Sequence, residues 1–477
     1  MTGAAPALLA HAFGQRYTLP LPLLLFVLGG AVAVGASFLI VLPRTVAATE
    51  DDFDGDDVAL EPARPVWNAA AVLVLVALIA CGVGGSQEVP ENIVPTAFWL
   101  LAWIAVPLSC GLIGDWTRPV NPFRALARLA DSDRARTALF GGPEPLSWPR
   151  RLAWWPAAAT FAFLVGGELV FNLTATLPRM IAYGLLTAAL VSALAGLVFG
   201  ADRWLNRGEL FSVLFSTWGR LGYFRFGAPG RRGYARGLEV PFDAALSRVV
   251  FVLMLLVSVA FDGLLSTPGW SHFHLRLNQA TNGSSIDDDT VTMLVFFLLT
   301  LVLLVAFGAF ALAVTRVGGH RLGAVASLAA LLPSLAPISF GYLLAHNLDN
   351  LAINSQLLIP LAGNPTGRDG WQWLPAPFDD SYEIQLKLIP PALYWYVAVA
   401  VIIAVHVLAV VLAHRHLARA GATEQRARRS EYPWIVAMIG YTMLSLWLLA
   451  QPLVREAPAK TESSPPAVSA PSSVTRA

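Results

Sequence analysis

Long stretches that are apolar all round dominate the chain. Ten of them reach the roughly 20 residues that a helix needs to cross about 30 Å of hydrocarbon at about 1.5 Å per residue. They are 22–42, 66–85, 93–113, 152–172, 180–200, 247–265, 290–315, 322–347, 393–414 and 434–452. Hydrocarbon offers no water to backbone polar groups, so isolated segments of this kind must be helices. None shows the short alternating pattern of an outer-membrane barrel. The pattern predicts an all-α fold: a polytopic transmembrane helix bundle of about ten spans, with residues 1–452 as one domain. Residues 453–477, rich in Pro, Ser and Ala, predict a disordered tail. The first stretch has neither a basic n-region nor a small-x-small cleavage site, and reads as a retained helix.

Composition strengthens this picture. Of 477 residues, 56% are hydrophobic and 13% charged, against about 25% charged in soluble domains. A net charge of +1 excludes a polybasic nucleic-acid binder. Two cysteines exclude a disulfide scaffold and a cysteine-ligated cluster. Cys81 and Cys110 fall at opposite ends of their spans, too far apart for a disulfide. Basic residues set the orientation. With the N-terminus outside, 24 of the 32 Lys and Arg fall on the cytoplasmic side and 8 on the other. The positive-inside rule then expects both termini outside, in a multi-pass protein of the plasma or inner membrane, with the lipid bilayer as its first partner. Gly208–Phe215 is amphipathic and is expected along the inner interface. Asn121-Pro122-Phe123-Arg124 reads as a capped interfacial turn.

Ionisable residues inside spans are costly and mark candidate sites. Glu168, Asp262 and His346 each fall in the last third of an even-numbered span. They should therefore lie at one depth, near the outer face. Each has polar company three or four residues away on its own helical face: Asn172 beside Glu168, Ser258 beside Asp262, and Tyr342, Asp349 and Asn350 beside His346. Two carboxylates and an imidazole can ligate zinc, manganese, iron or copper, and a metal-bound water would supply hydroxide for hydrolysis. The same three residues are thus the candidate catalytic set. His272, His274 and His11 are candidate further ligands, although His272 and His274 share a face only in an extended loop. Separate interfacial groups are the plainer alternative, and a proton or solute path is a third. His406, in mid-span, could pair with a buried Tyr or hold haem. His414 and His416 at the far end are expected to be solvated.

Several stretches together resemble an actinobacterial family of multi-pass membrane proteins labelled fenitrothion hydrolase. They are His11-Ala12-Phe13-Gly14 with Leu19-Pro20-Leu21-Pro22, Asn121-Pro122-Phe123-Arg124-Ala125-Leu126, Gly208-Glu209-Leu210-Phe211 and Phe261-Asp262-Gly263-Leu264. Further on come Pro337–Tyr342 with Ala345-His346, His406 with Ala413-His414, and Glu431-Tyr432-Pro433. The resemblance implies hydrolysis of an organophosphate triester, a small-molecule substrate, at its aryl ester bond. A membrane transporter, or a membrane subunit handling a metal ion, proton or small solute, is the alternative. Pro333 and Pro337 within span eight favour it, because transporters often use broken helices.

Overall fold

A computed structural model describes residues 17–18, 22–41, 64–226, 233–280, 287–319, 322–420 and 424–455. The acidic run Glu50–Glu61, His11 and nearly all of the expected tail lie outside them. The fold is all-α apart from a two-residue parallel pairing of Tyr17–Thr18 with Val454–Arg455. We number the helices α1 Leu23–Val41, α2 Pro65–Gly84, α3 Ile93–Ile113, α4 Pro122–Ala130, α5 Asp133–Phe140, α6 Trp155–Leu169, α7 Pro178–Phe199 and α8 Ala201–Arg207. There follow α9 Leu210–Gly219, α10 Leu246–Leu265, α11 Pro268–Ala280, α12 Asp288–Val317, α13 Ala324–Asn354, α14 Pro391–Ala420 and α15 Glu424–Leu453.

Eight of these helices are long and apolar enough to cross a membrane: α2, α3, α7, α10, α12, α13, α14 and α15. The protein is therefore a multi-pass membrane bundle. Ten spans were expected, and the difference falls on α1 and α6. The stretch 152–172 yields only 15 helical residues, a rise of about 22 Å. It is shortened at its start by a turn in which Ala153 has φ 39°, and at its end by a break before the short turn Asn172–Ala175.

Burial sorts centre from rim. The apolar window of α13 is 83% buried and that of α10 72%, against 11% for α2 and 22% for α12. The first two form the axis, and the last two turn most of their surface outward. Small and hydroxyl residues let α13 take the centre. A Cβ on Gly341 would meet the side chain of Val405 at 2.5 Å, so glycine there allows α14 to lie close. Ser334 and Ser339 bond back to their own helix at Leu331 O (2.7 Å) and Ala336 O (2.9 Å). They also accept the indole N–H groups of Trp434 (3.2 Å) and Trp218 (3.1 Å). Pro333 and Pro337 remove two N–H donors from the ladder, and the helix continues through both.

The stretch 208–215 departs from its expected interfacial position. It opens α9, and seven of the ten residues of that helix are buried inside the bundle. Its apolar face meets protein, because Glu209 docks its N-terminus onto α4. Glu209 accepts N–H bonds from Phe211 (3.0 Å) and Ser212 (2.7 Å), and the Asn121 amide donates to it (3.2 Å). Asn121 in turn caps α4 by accepting from the N–H groups of Phe123 and Arg124, as the capped turn required.

Candidate functional site

The C-terminal halves of α10 and α13 bring Asp262 and His346 together, 84 residues apart in sequence. His346 Nε2 lies 2.5 Å from Asp262 Oδ2. Their side chains are 4% and 11% exposed for His346 and Asp262, so the carboxylate is the more accessible member. Glu168, at the end of α6, lines the same cavity, and the indole N–H of Trp103 donates to its Oε2 at 2.7 Å. The common depth inferred from span direction thus places all three residues around one space.

That space is a cavity of about 350 Å³. Gln87 and Glu88, in the loop after α2, stand at one end. Leu214 and Trp218 of α9 also line the cavity. Trp218 holds Ser339, which is seven residues before His346, so this part of the lining lies about 10 Å from the pair along α13. Ser258 and Asn350 line the cavity with Asp262 and His346, in keeping with the polar stripes on their helices. Asn347 lines it too, and it begins a ladder in which Asn350 donates to Asn347 (3.3 Å) and Asn354 to Asn350 (2.6 Å).

Sequence reasoning missed the aromatic wall. Residues Thr96–Ala105 of α3 form a π-helix rather than an α-helix. This rare form recurs at functional sites. It lines the cavity with Trp99, Leu100, Trp103 and Ile104. Asn92 caps the start of α3 by accepting from Val94 N–H (3.0 Å) and donating to Cys81 O (3.0 Å). The one sequence signal available was the unusual Trp-x-x-x-Trp spacing within an otherwise aliphatic span.

His272 and His274 do not join the site. They lie on α11, which is helical where an extended loop was needed, so two residues' separation turns them to different faces. His272 is exposed, and His274 bonds Thr292 Oγ1 at 3.2 Å. His11 lies outside the described residues. The expected zinc, manganese, iron or copper site needs ligand atoms about 2.0–2.2 Å from one ion, hence roughly 3 Å or more from one another. Asp262 and His346 are hydrogen-bonded directly to each other at 2.5 Å. Among the described residues no group of three His, Cys, Asp or Glu side chains is placed to hold an ion.

The remaining histidines correct one expectation. His414 is buried rather than solvated, and His416 is half-buried. His414 Nδ1 is buried against the Glu431 carboxylate at 3.0 and 3.1 Å. His416 Nε2 donates to Leu238 O at 2.8 Å. Helix α15 and the segment before α10 pack over the end of α14, covering His414 and part of His416. His406 is fully buried, bonded through Nδ1 to Ile402 O at 2.7 Å, with the ring of Tyr441 at 6.4 Å. Both cysteines are free, as their separation required.

Three of these contacts, Asn121–Glu209, Asp262–His346 and His414–Glu431, each join side chains from two separate helices or their caps. Residues scattered over more than 300 positions are therefore paired side chains. Comparison of the chain with protein-family models, curated proteins and solved structures gives no match at all, and the chemistry of the cavity is read from its own residues.

Proposed function

We propose that this membrane protein takes a small organic cation into the cavity and exchanges a proton with it through the Asp262–His346 pair, as a solute transporter does. One observation carries the reading. The cavity lining contains three carboxylates, Glu88, Glu168 and Asp262, and no Lys or Arg among the described residues, beside the rings of Trp99, Trp103, Phe161 and Trp218. Low-dielectric walls concentrate the field of charges of one sign. Aromatic faces add about 0.5–2 kcal/mol for a cation held against them. An anion meets repulsion from the same lining. The positive-inside distribution of Lys and Arg supports a plasma or inner membrane location with this cavity opening outward.

The three tryptophans in the lining supply the assay. Benzyltrimethylammonium should change the intrinsic fluorescence of the detergent-purified protein saturably, and Glu168→Gln should weaken the effect. Benzylphosphonate should not compete. Equal binding of cation and anion would sink the reading.

The second reading is the hydrolase implied by the family resemblance. It is favoured by the pairing of Phe261-Asp262-Gly263-Leu264 with Ala345-His346, two stretches that carry that resemblance. Here Asp262, oriented by His346, would draw a proton from water attacking a neutral organophosphate-like ester. Release of nitrophenolate from an aryl phosphotriester, lost in Asp262→Asn, would support it. Elemental analysis of the purified protein decides whether a divalent metal ion takes part.

A further inference from the structure

Between the Asp262–His346 pair and the His414–Glu431 pair, the bundle buries two polar atoms without a hydrogen-bond partner among the described residues: Tyr342 Oη and His406 Nε2. Their chemistry is complementary. A carbonyl accepts only from a donor, so the bond to Ile402 O fixes the His406 proton on Nδ1 and leaves Nε2 as a bare acceptor. Tyr342 offers an O–H donor.

The two residues also share a depth. Gly341 of α13 packs on Val405 of α14, and Tyr342 and His406 are the next residues on those helices. Tyr342 belongs to the same buried cluster as Ile402, one turn from His406. Tyr441 of α15 adds a third group. Its ring is 6.4 Å from that of His406, and Tyr342 lies within electrostatic reach of both Tyr441 and Asp262. An unsatisfied buried donor or acceptor costs about 1–3 kcal/mol. A buried water needs two to four polar partners, and these three residues can supply them.

We infer that Tyr342, His406 and Tyr441 hold buried water in mid-bundle, and that this water is the middle of a proton path between the Asp262–His346 and His414–Glu431 pairs. Uptake at His406 Nε2 breaks one water O–H bond and forms one N–H bond. Release to the next water reverses both, so each proton entering at one pair leaves at the other and no co-reactant is consumed. Tyr342 is one helical turn from His346. His406 and His414 are eight residues apart, about 12 Å along α14. Chains of Asp, Glu and His side chains are a recognised form of proton relay inside membranes. The path shares the Asp262–His346 pair with the cation reading but does not need its ligand.

The test uses the full-length protein in sealed vesicles with a pH-sensitive dye inside and a potassium diffusion potential set by valinomycin. The initial proton flux should exceed that of protein-free vesicles. It should fall about tenfold in His406→Leu and in Tyr342→Phe, with benzyltrimethylammonium binding retained. His406→Gln, polar but unable to relay a proton, should lose flux equally and serves where the leucine variant does not fold. Flux no greater than in protein-free vesicles, or full flux in both His406→Gln and Tyr342→Phe, would overturn the path. Flux without benzyltrimethylammonium binding supports the path and overturns the cation reading.

Discussion

Removing one member of the Asp262–His346 pair should cost far more than removing both. The atoms are 2.5 Å apart and the side chains 11% and 4% exposed, so little solvent screens the interaction. Taking away one partner removes the buried charge-assisted bond that the other makes, at a cost of about 3–5 kcal/mol. Replacing both by apolar side chains of similar volume removes the desolvation penalty along with the attraction, and is often neutral or stabilising by about 1–4 kcal/mol. Asp262→Leu and His346→Leu should each destabilise by about 3–5 kcal/mol, with the double variant close to wild type. Independent sites would instead sum to about 6–10 kcal/mol, because groups more than about 10 Å apart add to within roughly 0.5 kcal/mol. The assay is equilibrium unfolding in mixed micelles, with all four proteins measured under one condition. Additivity across this cycle would refute the pairing. It would also remove the reason for treating Asp262 and His346 as one proton-exchanging unit.

Glu209 gives a pH test away from the spans. Burial pushes its carboxyl up from the ordinary value, against the Ser212, Phe211 and Asn121 donors that lower it. A folded pKa above the unfolded one means that its contribution to stability is full below the unfolded value and is lost as pH rises through the folded one. Wild type should therefore lose stability relative to Glu209→Gln as pH rises through that window, and a constant difference in melting temperature would count against it. Orientation is checked by labelling in a Cys81→Ala background. A cysteine at exposed Ser381, in the loop between α13 and α14, should react with an impermeant maleimide in intact cells, and one at exposed Arg134 should not. Equal labelling in cells shown to be sealed would overturn the charge-based orientation.

Much of the bundle was legible because its cause is local. A stretch that is apolar all round must become a helix in hydrocarbon, whatever its neighbours do. The capped turn at Asn121 was readable for a similar reason: its acceptor and the N–H groups it serves lie within three residues. Span direction also carried real information. It placed Glu168, Asp262 and His346 at one depth before any contact was known, and the cavity gathers all three.

Depth, however, is one coordinate, and azimuth is set by packing. Whether Asp262 faces His346 depends on how α10 and α13 rotate against each other, which small residues such as Gly341 and buried hydroxyls such as Ser339 decide through contacts far apart in sequence. The same holds for His414, whose exposure looked assured until α15 laid Glu431 across it. The π-helix that carries Trp99 and Trp103 is likewise a local change of pitch that the apolar pattern of the span does not announce. And Gly208–Phe215 was amphipathic enough for an interface, yet an apolar face is equally content against lipid or protein. Only Glu209 docking on Asn121 chose the interior. The sequence by itself determined that long apolar helices form a membrane bundle and where along its own helix each polar residue sits. The tertiary structure decided which of those residues meet, because rotation about a helix axis changes no apolar pattern but changes every neighbour.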